Sequence, residues 1–281
     1  MTVRELKQAV KKRYGEENGA RFFTEGALLS ALFEKCLPSR SGALNEPWVT
    51  LSEEVCARIL QDLERLLRGE PLQYYLGTEY FCGLELLVAP EVLIPRRDTE
   101  VLVEIGEKSL PEGALFFDFC CGSGCIGIAL LERRRDLKCI SFDLSEAVLS
   151  LARRNRERFG LKERMRIVSA DLTGGAGEEW IRREHPALVI SNPPYLAAEE
   201  MLELPENVKN EPSLALSGGE DGLLFYRHFL DLCQKTRTPF LCEMGYRQTE
   251  SIALLAEKRG LSAEFFRDGG DRPRAFFARP R

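Results

Sequence analysis

Ala187-Leu188-Val189-Ile190-Ser191-Asn192-Pro193-Pro194-Tyr195 is the stretch from which the fold is read. A run of small or branched apolar residues without polar alternation fits a strand buried on both faces, as in a parallel sheet. Two prolines, which cannot donate to a ladder, forbid its continuation, so the strand is predicted to end at Asn192. An amide, two ring-locked backbone units and a phenol then stand at a strand's carboxyl end, where open α/β sheets bind ligands. The Asn192 oxygen and the Pro193 carbonyl are two acceptors suited to a planar –NH2 group, and Tyr195 can cover its face. The expected task of Asn192, Pro193, Pro194 and Tyr195 is therefore to hold an amide or amino nitrogen. An Asn-Pro turn closing a strand is the plain alternative.

Around this stretch the pattern alternates. Strands are predicted at 114–119, 138–143, 165–169, 188–192 and 240–243, with two late ones at 263–267 and 274–278. Helices are predicted near 125–135, 145–159, 222–236 and 247–259, and another starts near Asp98 or Thr99. Such alternation implies an α/β fold: a doubly wound, mostly parallel, Rossmann-like seven-stranded sheet with right-handed crossovers. The last two strands lie close enough in sequence for an antiparallel edge pair. Upstream, residues 1–73 read as a helical bundle. Thr2-x-x-Glu5 and Thr50-x-x-Glu53 have capping-box form. Leu51, Val55, Ile59, Leu63 and Leu66 recur at helical spacing until Gly69 and Pro71 stop the run. A middle helix carrying Leu28, Leu29, Leu32 and Phe33 ends before Pro38. Residues 80–88 read as a hairpin pivoting near Gly83. Three parts are expected: a helical bundle for partner recognition (1–73), a β-hairpin linker (74–97) and a catalytic domain (98–281).

Composition narrows the class. The chain has 281 residues, 44% hydrophobic and 30% charged, an ordinary globular balance. No apolar run approaches the ~20 residues of a membrane span, and no secretion signal is visible. The nine cysteines sit mostly in apolar stretches and read as reduced thiols, which points to a cytoplasmic protein. Without a Cys-x-x-Cys, and with two histidines, His185 and His228, a metal site is not expected. A net charge of −5 speaks against a broad duplex-binding face. No membrane or sequence-specific nucleic-acid partner is expected, and a monomer is.

The first strand of the alternating region runs into Asp118-Phe119-Cys120-Cys121-Gly122-Ser123-Gly124-Cys125 and then a helix. Glycines at such a turn let a ligand approach the backbone, and the helix N-terminus offers unpaired N–H groups. Asp143, closing the second strand, suits a ribose hydroxyl pair. Asp171-Leu172, after the third, is placed for an adenine edge and face. Two cofactors fit. Gly122-x-Gly124-x-x-Gly127 with Asp143 matches the dinucleotide fingerprint, which makes an NAD-dependent oxidoreductase a rival. Against it, Asp118 would face a pyrophosphate unfavourably but could meet an ammonium group, and no obvious proton-transfer residue accompanies a hydride. S-adenosylmethionine is the better fit.

Asp-x-x-x-Gly-x-Gly, a second-strand acid and Asn-Pro-Pro-Tyr together resemble class I S-adenosylmethionine-dependent N-methyltransferases. The stretch 94–100 (Ile-Pro-Arg-Arg-Asp-Thr-Glu), Glu211-Pro212-x-x-Ala215-Leu216, Gly218-Gly219-x-Asp221-Gly222, Tyr226-Arg227 and Asp268-x-Gly270-Asp271-Arg272 narrow this. With them the chain resembles the HemK-type peptide chain release factor glutamine methyltransferases over nearly its whole length. The resemblance implies the seven-stranded methyltransferase sheet and N5-methylation of the glutamine in the Gly-Gly-Gln motif of class 1 release factors. S-adenosyl-L-methionine would be the donor and S-adenosyl-L-homocysteine the product. Cys120, Cys121, Gly122, Ser123, Gly124, Asp143, Leu172 and Asn192 would contact the cofactor, with Asp118 and Asp171 beside them, and Asn192 to Tyr195 would hold the glutamine. Two departures stand out. Cys120 replaces the usual first loop glycine, so the backbone there is expected to avoid conformations that favour glycine. Arg97-Asp98 replaces Pro-Glu. A ribosomal-protein glutamine methyltransferase and an adenine-N6 nucleic-acid methyltransferase, which would use the same four residues on a flipped base, are the alternatives.

An amide nitrogen is a poor nucleophile because its lone pair is delocalised, so orientation is the expected means of catalysis, and no residue is an obvious general base. Glu211-Pro212 and Gly218-Gly219 read as loop architecture over the site. Arg96 and Glu100 have the spacing of a helical ion pair, and shaping a substrate channel is the equal alternative.

Overall fold

The structure, a computed structural model, describes residues 1–16, 23–37 and 46–281. In the N-terminal unit (Met1–Gly77 with Leu204–Asn210), side-chain caps set the helix starts. At the head of α1 (Val3–Glu16) the expected capping box is present: Thr2 N–H donates to Glu5 Oε2 at 2.8 Å and Glu5 N–H to Thr2 Oγ1 at 3.3 Å. α2 (Glu25–Cys36) is capped by Thr24. The Pro38 predicted to stop it lies outside the described residues. α3 (Glu53–Leu67) is capped by Ser52, whose Oγ accepts from Val55 N–H, and not by Thr50 as its spacing suggested. The Thr50 backbone is engaged elsewhere, bridging antiparallel to Thr2. α4 (Leu72–Leu76) follows Pro71. Leu6, Leu28, Leu32, Ile59 and Leu66 are fully buried in a core of the unit's own.

The second unit spans Thr78–Glu203 and Glu211–Arg281. It opens with the hairpin β1 (Thr78–Phe81) and β2 (Leu84–Leu87), turning at Cys82-Gly83 as expected. Its main run is α5 (Glu100–Ser109), β3 (Leu115–Phe119), α6 (Cys125–Arg133), β4 (Lys138–Asp143), α7 (Glu146–Arg158), β5 (Met165–Ser169), α8 (Ala176–Glu184) and β6 (Leu188–Ser191). After the one-turn helices α9 (Ala198–Leu202) and α10 (Glu206–Lys209), the latter in the first unit, come α11 (Leu224–Thr236), β7 (Phe240–Glu243), α12 (Thr249–Glu257), β8 (Leu261–Arg267) and β9 (Pro273–Pro280). α8 escaped the sequence reading because its stripe is thin: only Gly177 and Ile181 are buried.

The seven strands run β5-β4-β3-β6-β7-β9-β8, the first five parallel and β9 antiparallel to both neighbours. The chain moves outward from β3 through β4 to β5 and returns to β6 beside β3. That reversal makes a switch point, with a crevice beyond the carboxyl ends of β3 and β6. Phe117 and Phe119 pack on one face, where Phe119 meets Phe142 edge-on at 5.2 Å; Phe116 packs on the other. Each buried phenylalanine contributes about 1.5–3 kcal/mol. The hairpin predicted as a separate linker is pinned to this body. Asn155 on α7, fully buried, accepts from Leu87 N–H (2.7 Å) and donates to Leu87 O and to Ser123 O (both 3.0 Å).

Candidate active site

β3 and β6 are tied at their ends: Ser191 Oγ donates to Phe119 O at 2.8 Å. β6 therefore stops at Ser191, one residue before the predicted end, and Asn192 stands free of the ladder. The loop after β3 is held from its neighbour β4. Cys121 N–H donates to Phe142 O (3.0 Å) and Gly122 N–H to Asp143 Oδ2 (3.1 Å). These bonds need a tight turn, and Cys120, Gly122 and Gly124 all have positive φ, at 56°, 54° and 81°. The expectation that Cys120 avoids a glycine-like backbone is overturned. It adopts the left-handed region because the turn into α6 demands it, at a cost of about 1 kcal/mol relative to glycine. Burial pushes its thiol pKa up, and that of Cys125 to about 12, so neither is a thiolate nucleophile.

A cavity of about 570 Å³ opens over this loop. It is lined by Cys120, Cys121, Gly122 and Ser123, by Asp143, by Asp171 and Leu172, and by Asn192 and Pro194. Its other walls are Glu91 to Arg96 with Thr99, and Pro212, Leu214, Ala215 and Ser217. Glu211, with a side chain only 1% exposed, joins two of these walls by accepting from Ile94 N–H (3.2 Å) and from Arg96. The helical Arg96–Glu100 pair is therefore not formed; Glu100 accepts from Cys82 N–H instead. The expected architectural role of Glu211 is matched by this clasp.

Asp118, Gly124, Pro193 and Tyr195 are not among the lining residues. Asp118 shares the face of β3 that carries Phe116, so its side chain points beneath α6. It accepts from Gly127 N–H (3.2 Å) and Ser141 Oγ (3.4 Å), while Oδ1 is buried with no partner among the described residues. Burial, with the Asp143 charge adding to it, lifts its pKa to about 7. It supports the loop from below, through Gly127 N–H and Ser141 Oγ. Asp143 also binds Leu144 and Ser145 N–H, at 2.8 and 3.3 Å; burial still raises its pKa.

The acceptor corner depends on residues the sequence reading passed over. Asn192 Nδ2 donates to Thr99 Oγ1 at 3.2 Å. Tyr195 OH donates to Glu243 Oε1 at 3.3 Å. Glu243 is 1% exposed, and its Oε2 has no hydrogen-bond partner among the described residues. Desolvation raises its pKa to about 7, opposed by the nearby Thr99 and Tyr195 hydroxyls and by the charge of Arg274. Burial and the Glu243 charge raise the Tyr195 pKa as well. Behind Tyr195 the backbone is crowded. A Cβ on Gly222 would lie 2.5 Å from Tyr195 O, and one on Gly218 2.8 Å from Tyr195 Cα. Glycines there let that loop pass against the Pro-Tyr segment, and Gln248 Nε2 stitches Tyr195 O (2.9 Å) to Gly222 O (3.2 Å). Glu243 was legible in principle: like Asp143, it is a carboxylate closing an apolar strand.

Among the described residues, no helix is long and apolar enough to cross a membrane, and no cluster of His, Cys, Asp or Glu could hold a metal ion. Residues 97–220 match the family described as Methyltransferase small domain. The release factor glutamine methyltransferase of Geobacter sulfurreducens is 37% identical over 70% of this chain and 68% of its own length. That of Clostridium acetobutylicum is 30% identical over 91% of both. In fold, the chain is similar to the hMettl16 catalytic domain solved in complex with MAT2A 3'UTR hairpin 1, with TM-score 0.58, 15% identity and 84% coverage of each chain.

Proposed function

The chain belongs to the release factor glutamine methyltransferase family, and from that premise we propose that it methylates the side-chain amide nitrogen (N5) of the Gly-Gly-Gln glutamine in class 1 release factors. The observation that carries the reading is the Asn192 amide. Its Nδ2 is taken by Thr99, which leaves Oδ1 as the acceptor toward the cavity that Asn192 lines.

The cavity fits S-adenosyl-L-methionine in size and donor set: ligand pockets of this volume are common, and a Cβ on Gly122 would meet only Val92 Cγ1, at 3.8 Å. When bound, this donor supplies an electrophilic methyl on a sulfonium and leaves as S-adenosyl-L-homocysteine. Cys120 to Ser123 would approach it with backbone, Asp143 would accept from ribose hydroxyls, and Asp171 and Leu172 would meet the adenine. Asn192 Oδ1 and the Pro193 carbonyl would accept the two N–H groups of the glutamine, turning its nitrogen toward the methyl. Tyr195 would close the far side. Positioning of this kind can lower a barrier by about 7–11 kcal/mol. The N-terminal bundle, with a core separate from that of the sheet, is proposed to grip the release factor, a cytoplasmic partner.

Mass spectrometry of a release factor incubated with the protein and S-adenosyl-L-methionine tests this. One added methyl on the Gly-Gly-Gln glutamine is the expected result. An unmodified glutamine, with the cofactor bound, would redirect the search to ribosomal proteins or adenine.

A further inference from the structure

Asp268-x-Gly270-Asp271-Arg272 forms the turn between β8 and β9, and none of its residues lines the cavity. Its hydrogen bonds nevertheless lead toward the acceptor corner. Asp268 Oδ1 accepts from Gly270 N–H (2.9 Å) and Arg272 N–H (3.1 Å), which closes the turn. The other oxygen, Oδ2, accepts from Arg274 Nε at 3.0 Å. The Arg274 backbone is fixed too, since its carbonyl accepts from Met244 N–H (2.8 Å) where β9 pairs with β7. A planar guanidinium held at both its stem and its Nε has little freedom left, and its Nη2 meets Asp98 Oδ2 at 2.9 Å.

Asp98 is the middle residue of a single 3-10 turn, Arg97–Thr99, that no side chain caps. One such turn is marginal by itself, because it fixes several dihedrals for few hydrogen bonds. Thr99, the next residue along it and 1% exposed, receives Asn192 Nδ2 on its Oγ1 at 3.2 Å. We propose that Arg274 is a positioning residue of this enzyme: by gripping Asp98 from β9 it fixes the turn that carries Thr99, and through Thr99 it fixes the Asn192 amide at the cavity wall. Arg274 is outside the cavity lining and acts only through these two residues. The inference rests on the proposed use of Asn192 as the acceptor for the substrate amide.

The placement favours this role over simple closure of the β8–β9 turn. Asp268 closes that turn with Oδ1 and needs no arginine to do so. The Arg274 side chain is only 10% exposed, yet it directs Nη2 at an aspartate that is 53% exposed and distant in sequence. The turn that Asp98 belongs to is also held from its other end. Thr99 N–H donates to Arg96 O at 3.1 Å, and the Arg96 side chain is clasped by Glu211. Two grips on one short turn leave Thr99, and the amide bonded to it, in one place.

Arg274→Met leaves the Asp268 side chain, 6% exposed, without its cation and is expected to cost stability, so Asp98→Ala in the full chain carries the test. It keeps the Asp268–Arg274 bond and removes the grip alone. The kcat for a release factor should fall by about 3–10-fold, with KM and the calorimetric cofactor Kd within about twofold. The melting temperature should stay within about 4 °C, because a half-exposed ion pair contributes little to folding. Arg274→Met should lower kcat at least as much, and adding Asp98→Ala to it should change kcat no further. Arg97→Pro should restore the kcat of Asp98→Ala. Residue 97 opens the turn, and Arg96 before it has φ −104° and ψ 141°, as a following proline requires, so the ring stiffens the turn by another route. An Asp98→Ala enzyme with wild-type kcat would overturn the inference, and so would a loss that Arg97→Pro leaves unrestored. The 15N side-chain amide signal of Asn192 is a readout independent of turnover. It should move or broaden in Asp98→Ala and return in the Arg97→Pro double variant; a signal unchanged in Asp98→Ala overturns the assignment. If the wild type transfers no methyl to a release factor, the substrate reading fails separately and the Asn192 signal decides the positioning role alone.

Discussion

The cofactor loop and the acceptor corner sit side by side at the switch point and are built in opposite ways. The loop is one continuous stretch, Asp118 to Gly127, and works through backbone: three positive-φ residues and two N–H groups bonded to β4. The corner is assembled from four distant segments: Thr99 bonds to Asn192, and Glu243 and Gly222 meet Tyr195. A backbone turn tolerates a change of side chain, as Cys120 shows. A set of side-chain hydrogen bonds between distant segments does not. The comparison teaches that the loop should be robust to substitution and the corner brittle.

Asn192→Ala probes the brittle side most sharply. It removes the acceptor and should lower kcat by about 10²–10³-fold, the usual effect of losing one preorganised polar contact, with cofactor Kd within about threefold by calorimetry. An equal loss in both would merge the two regions into one.

Asp118→Asn probes the loop from beneath. The carboxyl pKa is raised in the folded protein, to about 7 from 3.8, so its stabilising contribution is complete below the unfolded pKa and is lost as pH rises toward 7. The variant lacks this term. Relative to wild type it should gain about 2 kcal/mol of unfolding free energy between pH 5 and pH 7 in denaturant titrations, while still binding cofactor. No change in the difference with pH would mean Asp118 is solvated.

The smallest effect is expected at Cys120→Gly. Relief of the left-handed backbone favours the variant by about 1 kcal/mol, and loss of the thiol's packing on the core offsets part of that. The expected change in melting temperature is a rise of at most a few degrees, with cofactor affinity unaltered. A loss of affinity would show that the Cys120 side chain, not its backbone, shapes the cavity.

The two regions also differ in how far they could be read. The alternation of apolar runs with amphipathic segments located all seven strands, the central ones because burial on both faces writes a local signature. The loop and Asp143 were legible for the same reason: turn, glycine and strand-end acid are neighbours in sequence. Helix α8 was missed because two buried residues make no readable period. Ser52 was passed over for Thr50 because spacing alone does not say which residue's backbone is engaged elsewhere. Asp118 lies in the loop motif, yet its side chain points away from the cavity, since alternation along β3 puts it with Phe116.

What the sequence determined by itself is the class of fold and the place of the crevice. Each follows from interactions between residues a few positions apart. What only the tertiary structure decided is the direction of the acceptor corner: Thr99 and Glu243 lie 93 residues before and 48 residues after the groups they hold. The reason is physical. Periodicity and turn chemistry record short-range sterics and solvent exposure, whereas side-chain hydrogen bonds between distant segments are set by which donors and acceptors the folded chain brings within about 3 Å of one another.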